Sequence, residues 1–204
     1  DAQESRGLGD VYKRQVLVLG GDGTLLRMAG ETEDIDIPLF GINLGTVGFL
    51  TEGEVANIEE ILDRLLTDDF TIEERMMVTG TVTKADGTTY RKSALNDIVI
   101  SRAGFSRLIG LNVSVDGQVL DTYEADGVVI STPTGSTGYN LSAGGPIVSP
   151  DAELLVITPV SPHSLTAKSI VLSGKEEITI EITKKRKTQD TEAICSFDGG
   201  NDVE

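Results

Sequence analysis

A single aspartate, Asp22, stands among glycines in Gly20-Gly21-Asp22-Gly23-Thr24. Four apolar residues, Val16 to Leu19, precede this stretch, and Leu25, Leu26 and Ala29 follow it at helical spacing. Strand, glycine-rich turn and helix form the arrangement that cradles phosphate. Glycine lets the backbone approach an anion, and the free N–H groups at the helix start face it. A carboxylate at the centre of such a cradle does not serve that task. It points to a second one, either holding a metal ion or accepting a proton. The plain alternative is a tight turn whose aspartate caps the helix.

A second constellation follows an apolar run. Asp126-Gly127 leads into Val128-Val129-Ile130, then Ser131-Thr132-Pro133-Thr134-Gly135-Ser136-Thr137-Gly138-Tyr139-Asn140, and Ser142 to Pro146 continue it. Hydroxyls, glycines and one flat ring suit a polar, ring-containing ligand; the alternative is a long structural loop. Upstream, Asn96-Asp97 precedes the apolar Ile98-Val99-Ile100. A polar pair there can be a plain turn or a fork that grips two ribose hydroxyls.

These residues must be positioned by a chain of 204 residues, long enough for one large or two small domains. Up to Leu66 the pattern is strand, helix, strand, helix: Val16 to Leu19, the helix after Asp22, Ile37 to Asn43, and a helix carrying Ile58, Ile61, Leu62, Leu65 and Leu66 on one face. Gly45 and Gly48 mark a loop that ends at Phe49-Leu50. This spacing argues for a parallel α/β layer. From Arg75 the period becomes two, with hairpin signals at Asp86-Gly87 and Asp116-Gly117, and the pattern predicts an antiparallel sandwich. The expected divisions are a tail over 1–15, of which a non-native origin is one reading, an α/β domain over 16–72 and a β-sandwich over 73–204.

The formal net charge is -16, so nucleic acid and anionic membranes are repelled at long range and are not expected as partners. The chain has one cysteine, Cys195, and no apolar run near the roughly 20 residues of a membrane span. A soluble cytoplasmic protein is the expectation. Lys184-Lys185-Arg186-Lys187, the basic run, is read as a solvated hairpin loop.

Taken as a set, the residues resemble the NAD kinase family. Gly20 to Thr24, Leu95 to Asp97 and Asp126 to Val148 are similar to its three signatures in its order, with weaker likenesses at Pro162 to Lys168 and Phe197 to Gly199. The first signature is shared with lipid kinases of the diacylglycerol type; the segment after Asp126 is specific. The resemblance implies an N-terminal Rossmann-like α/β domain, a C-terminal β-sandwich, and transfer of the γ-phosphate of ATP, or in some members a phosphate of polyphosphate, to the 2′-hydroxyl of the adenosine ribose of NAD. It makes Asp22 the proton acceptor. It makes Gly23, Phe49, Asn96, Asp97, Asp126, Thr134, Thr137, Gly138, Tyr139, Asn140, Leu141 and Ser142 ligand contacts, with Arg27 and Arg107 near phosphates.

A divalent cation, Mg²⁺, is expected with ATP, because phosphoryl transfer depends on charge neutralisation. No protein side chain is assigned as a metal ligand. The resemblance also implies a homo-oligomer, dimer or tetramer. Asp97 stands where many members have Glu, Gly138 where many have Ala, Glu124 where some have Arg, and Gly200 where Gln is common. The family continues beyond both ends, so the chain reads as truncated. Two other readings stand beside it: a lipid kinase of the same superfamily, and a dinucleotide-binding module without turnover. His163, the single histidine, is read as structural or ligand-orienting.

Overall fold

Four apolar residues starting at Val16 form a strand because the next element, a helix, can cover one of their faces. The computed structural model describes residues 15–45, 48–104, 108–183 and 193–203. It divides into two compact units, Asp1–Ile72 and Glu73–Glu204.

In the first unit, β1 (Val16–Leu19) leads into α1 (Asp22–Glu31), followed by β2 (Leu39–Asn43), β3 (Gly53–Glu54) and α2 (Ile58–Leu66). The strands form one parallel sheet in the order β1-β2-β3, with Val16 opposite Leu39 and Ile42 opposite Gly53. Val18, Ile42, Leu25 and Ala29 are its buried apolar residues. Leu17 and Leu19, on the other face of β1, remain 40% and 55% exposed. The helical stripe expected on α2 forms, but no residue of that helix is fully buried. Ile61 reaches the space beside Gly53 and Phe40, whereas Leu66 stays exposed. The two-residue β3 is too short to be read from periodicity.

The second unit is antiparallel. Its strands are β4 (Val78–Thr83), β5 (Thr89–Ala94), β6 (Asp97–Arg102), β7 (Ile109–Val115), β8 (Gln118–Ala125), β9 (Gly127–Ser131), β10 (Leu154–Val160), β11 (Ile170–Ser173), β12 (Ile178–Thr183), β13 (Ala193–Phe197) and β14 (Gly200–Val203). A short helix α3 (Tyr139–Ser142) follows a 3-10 turn at Thr134–Thr137. One sheet has the order β11-β10-β9-β6-β13-β14, a second β12-β7-β8, and β4 and β5 form a hairpin. Ile98, Val128, Ile130, Leu155, Ile157 and Phe197 meet Ile109, Leu111, Val113 and Tyr123 in one core. The two sheets therefore share a sandwich interior, as the alternation from Arg75 predicts. Asp116-Gly117 turns the chain between β7 and β8 with φ of 48° and 76°, the doubly positive pair a tight hairpin needs.

β9 is buried along its whole length, on both faces. One face points into the sandwich. The 3-10 turn and α3 fold back onto the other. A strand so covered explains the unbroken apolar run that opens the second constellation. It also fixes residues 131–142 against the start of β6, since Asp97 pairs with Ser131.

Phe197 is 1% exposed, with its ring edge-on to Tyr90 at a centroid distance of 6.2 Å. Truncating it leaves a cavity that β-sheet neighbours cannot close. Phe197→Ala is expected to lower the unfolding free energy by about 3–5 kcal/mol, read from urea denaturation. A loss below about 1 kcal/mol would place the centre of the core elsewhere.

Candidate functional site

In the first unit the glycine-rich turn begins at Gly21, which is the N-cap of α1 with no side-chain cap, so Asp22 is the first helical residue and does not cap. Its carboxylate serves a different purpose. Oδ2 accepts the N–H of Phe49 at 2.7 Å and Oδ1 accepts that of Leu50 at 3.1 Å. The loop after β2 is thereby tied to the start of α1. Beside Asp22, Gly21 and Gly23 have open space where a Cβ would stand. Arg27 points outward, 68% exposed, with its Nε 3.8 Å from Glu31. The Phe49 ring is 82% exposed.

In the second unit, the start of β6 is a polar cluster built on Leu95, Asn96 and Asp97. Asp198, in the turn between β13 and β14, has φ of 51° and aims its carboxylate back at this segment. It accepts the N–H of Leu95 at 2.8 Å, of Asn96 at 2.7 Å and of Asp97 at 3.1 Å. The Asp198 N–H donates to the carbonyl of Asp97. Thr132 completes the set: its N–H donates to the Asn96 carbonyl at 2.9 Å and its hydroxyl to that of Leu95 at 2.5 Å. Every backbone polar group of residues 95–97 is thus satisfied. Gly135 lies so close to Asn96 that any Cβ would strike the Asn96 carbonyl.

The side chains are another matter. Asn96 Oδ1 and Thr134 Oγ1 are buried and have no hydrogen-bond partner. A Cβ on Gly138 would stand 3.6 Å from Asn96 Nδ2 and 3.9 Å from Asp97 Oδ2. Asp97 is 6% exposed. Burial, and secondarily the Asp198 carboxylate, push its pKa up to about 6. Asn96, Asp97 and Gly138, named from sequence, therefore come together, with Asn96 Oδ1 left unpaired among them.

Other expected contacts lie apart. Asp126 sits at the far end of β6, about 16 Å from Asp97 at the usual strand rise. Arg102 Nε is 2.5 Å from its Oδ1. Arg102, Asp126, Tyr139, Val160 and Ser161 line a groove of about 450 Å³. Tyr139 and Leu141 are each 44% exposed, and Thr137 and Ser142 reach the surface too. Asn140 has a fully occupied amide inside the fold. It donates to the carbonyls of Ser136 and Pro146 at 3.1 and 2.9 Å, and accepts from Thr158 at 2.7 Å. Arg107, the 1–14 tail and the Lys184 to Lys187 run lie outside the described residues. Sequence reasoning did not assign Asp198, Thr132 or Arg102 to the site. Asp198-Gly199 carries the local signal of a turn and a weak likeness to the family, neither of which gives it a role, and its partners are more than 100 residues away.

Residues 95–204 match the ATP-NAD kinase C-terminal domain, and residues 13–70 match the ATP-NAD kinase N-terminal domain. The NAD kinase of Lachnoclostridium phytofermentans is 49% identical over 190 residues, covering 92% of this chain and 67% of that protein. That of Agathobacter rectalis is 49% identical over 189 residues, covering 93% of this chain and 66% of its own length. The chain thus spans about two thirds of the curated relatives it matches. Among solved structures, yeast NADH kinase complexed with NADH superposes with a TM-score of 0.82 at 31% identity, over 92% of this chain and 54% of that one. An NAD kinase from Archaeoglobus fulgidus in complex with ATP gives 0.78 at 31% identity, over 94% and 70%.

The Asp97 carboxyl has a measurable consequence. In the folded protein it releases its proton near 6; unfolded, near its ordinary value of 3.8. Between those values the folded state binds more protons, so the contribution of Asp97 to stability falls as pH rises through that window. Above it the buried charge costs at most about 3 kcal/mol. Asp97→Asn is expected to be more stable than the wild type at pH 7 by about 1–3 kcal/mol, with the difference shrinking towards pH 4. Urea unfolding at both pH values checks this; an equal difference at both would contradict it.

Proposed function

The chain belongs to the NAD kinase family, and on that premise we propose that it transfers the γ-phosphate of ATP to the 2′-hydroxyl of the adenosine ribose of NAD, giving NADP. The observation that carries this reading is the buried cluster at the start of β6. Its backbone is fully satisfied, while Asn96 Oδ1 and Thr134 Oγ1 have no partner. Unpaired buried acceptors are costly, at about 1–3 kcal/mol each, and a ligand that donates to them relieves the cost. A dinucleotide carries hydroxyl and amide donors of that kind.

In this reading Asp22 is the proton acceptor. A ribose hydroxyl is a weak nucleophile until its proton has somewhere to go. O2′ forms a bond to the γ-phosphorus, the bond from that phosphorus to the bridging oxygen breaks, ADP leaves, and the hydroxyl proton passes to the Asp22 carboxylate. A carboxylate has about four lone-pair sites, and Phe49 and Leu50 occupy two. The open space beside Gly21 and Gly23 supports a phosphate approach to the start of α1. Asn96, Asp97, Asp126, Thr134 and Thr137 to Ser142 are assigned to NAD, Asn140 as the residue whose amide holds that stretch in place, and Arg107 and Arg27 to phosphates.

Among the described residues no group of three or more His, Cys, Asp or Glu side chains is gathered for a metal ion. We assign Mg²⁺ to the triphosphate of ATP, where it would neutralise charge. Among the described residues no helix is long and apolar enough to cross a membrane. The same reading makes the protein a cytoplasmic homo-oligomer that acts on small molecules.

The test is NADP formation at saturating NAD and ATP, alongside NAD binding. Asp22→Asn is expected to lower kcat by about 10²–10⁴-fold with the Kd for NAD unchanged. Near-normal turnover would remove Asp22 from the mechanism, and recovery at raised Mg²⁺ would make it a metal ligand. A wild-type chain that binds NAD and forms no NADP would be a binding module.

A further inference from the structure

The loop that follows β2 carries more than its exposed phenylalanine suggests. It is fastened at its start, where Asn43 Oδ1 accepts the Gly45 N–H at 3.0 Å, and at its end, where Thr51 packs on Gly41. Two successive N–H groups, of Phe49 and Leu50, each donate to a different oxygen of one carboxylate. Residue 48 lies directly against that carboxylate. A Cβ at that position would collide with Asp22 Cγ and both of its oxygens. Only glycine leaves the space.

Two further observations show what holds the arrangement. The Phe49 ring is 82% exposed, so burial of that side chain does not place the segment. The two N–H groups are also the only hydrogen-bond partners of the Asp22 carboxylate among the described residues. Its orientation is therefore set by backbone donors that cannot rotate, and the remaining lone pairs are aimed by that geometry.

We propose that Gly48 is a positioning residue: by lacking a side chain it lets the Asp22 carboxylate seat on the N–H groups of Phe49 and Leu50, and this seat aims the carboxylate at the hydroxyl it deprotonates. The proposal rests on the kinase reading above and adds to it the element that orients the base. Ala at 48 displaces the carboxylate or lifts the loop by the width of a methyl group. Misplacement on that scale costs a proton-transfer step heavily while leaving substrate contacts in place.

The experiment compares wild type, Gly48→Ala, and a protein in which Leu50 is replaced by its α-hydroxy acid, so that an ester removes the N–H that Asp22 Oδ1 accepts while the side chain is kept. Steady-state NADP formation is measured, with far-UV circular dichroism as the check on folding. Gly48→Ala is expected to lower kcat by about 10- to 100-fold, with KM for NAD and for ATP within about twofold of wild type. The ester is expected to lower kcat by about three- to tenfold with the same unchanged KM values. A purely structural glycine would move KM and thermal stability together with kcat. Wild-type kcat in a folded Gly48→Ala protein overturns the proposal. If that variant does not fold, the ester decides alone, and full kcat there overturns it. Wild type that forms no NADP overturns the kinase reading and the seat's catalytic role with it, a result distinct from active variants.

Discussion

One carboxylate organises the binding end of the sandwich. Asp198 and the segment 95–97 are brought face to face because β13 pairs with β6, Phe197 opposite Ile98, so the turn after β13 lands beside Asp97. Asp198 and Gly199 both take positive φ, 51° and 69°, and this reverses the chain within two residues. Aspartate tolerates that conformation better than most residues. The carboxylate then holds three consecutive N–H groups. Hydrogen bonds to a charged group are worth about 1.5–3 kcal/mol each, well above neutral ones. With these donors and Thr132 in place, residues 95–97 have no backbone group left to satisfy. The side chains of Asn96 and Asp97 are free for a ligand.

That arrangement has a cost, and the cost explains the chemistry of the cluster. Placing a second carboxyl, Asp97, beside Asp198 in a buried position disfavours its charged form and raises its pKa to about 6. Asn96 Oδ1 and Thr134 Oγ1 stay unpaired. A stability-driven sequence would fill these places with apolar groups. The loss is tolerated where a bound molecule supplies the missing partners. The glycine-rich unit follows a parallel logic. Asp22 spans from α1 to the next loop through two N–H groups, with glycine at 48 removing the side chain that would crowd it.

Much of the fold was legible in the sequence because it rests on local period. The run from Val16, the alternation after Arg75 and the Asp116-Gly117 turn each announce their element. β3, two residues long, does not, and the α2 stripe overstates burial, because a moment records a preference and not the presence of a covering surface. Of the site, Asn96, Asp97 and Gly138 could be named and do come together. Asp198 could not be assigned: nothing near it in sequence shows that three distant N–H groups need an acceptor. Asn140 lies within a hydroxyl-rich loop, and the family resemblance implies a ligand contact there. The structure engages its whole amide in tying α3 to Pro146 and Thr158. Asp126 and Asp97 flank the same strand, but sequence separation does not reveal that they sit at its opposite ends.

The central claim is that the Asp198 carboxylate, by holding three backbone N–H groups, presents Asn96 and Asp97 to the dinucleotide of the proposed reaction. Titration calorimetry of NAD onto wild type and Asp198→Asn tests it most directly. An amide can offer one acceptor oxygen but must turn its NH₂ towards another donor, so the segment 95–97 shifts. The predicted result is a loss of about 10- to 100-fold in affinity with a folded protein. A Kd within twofold of wild type would contradict the account.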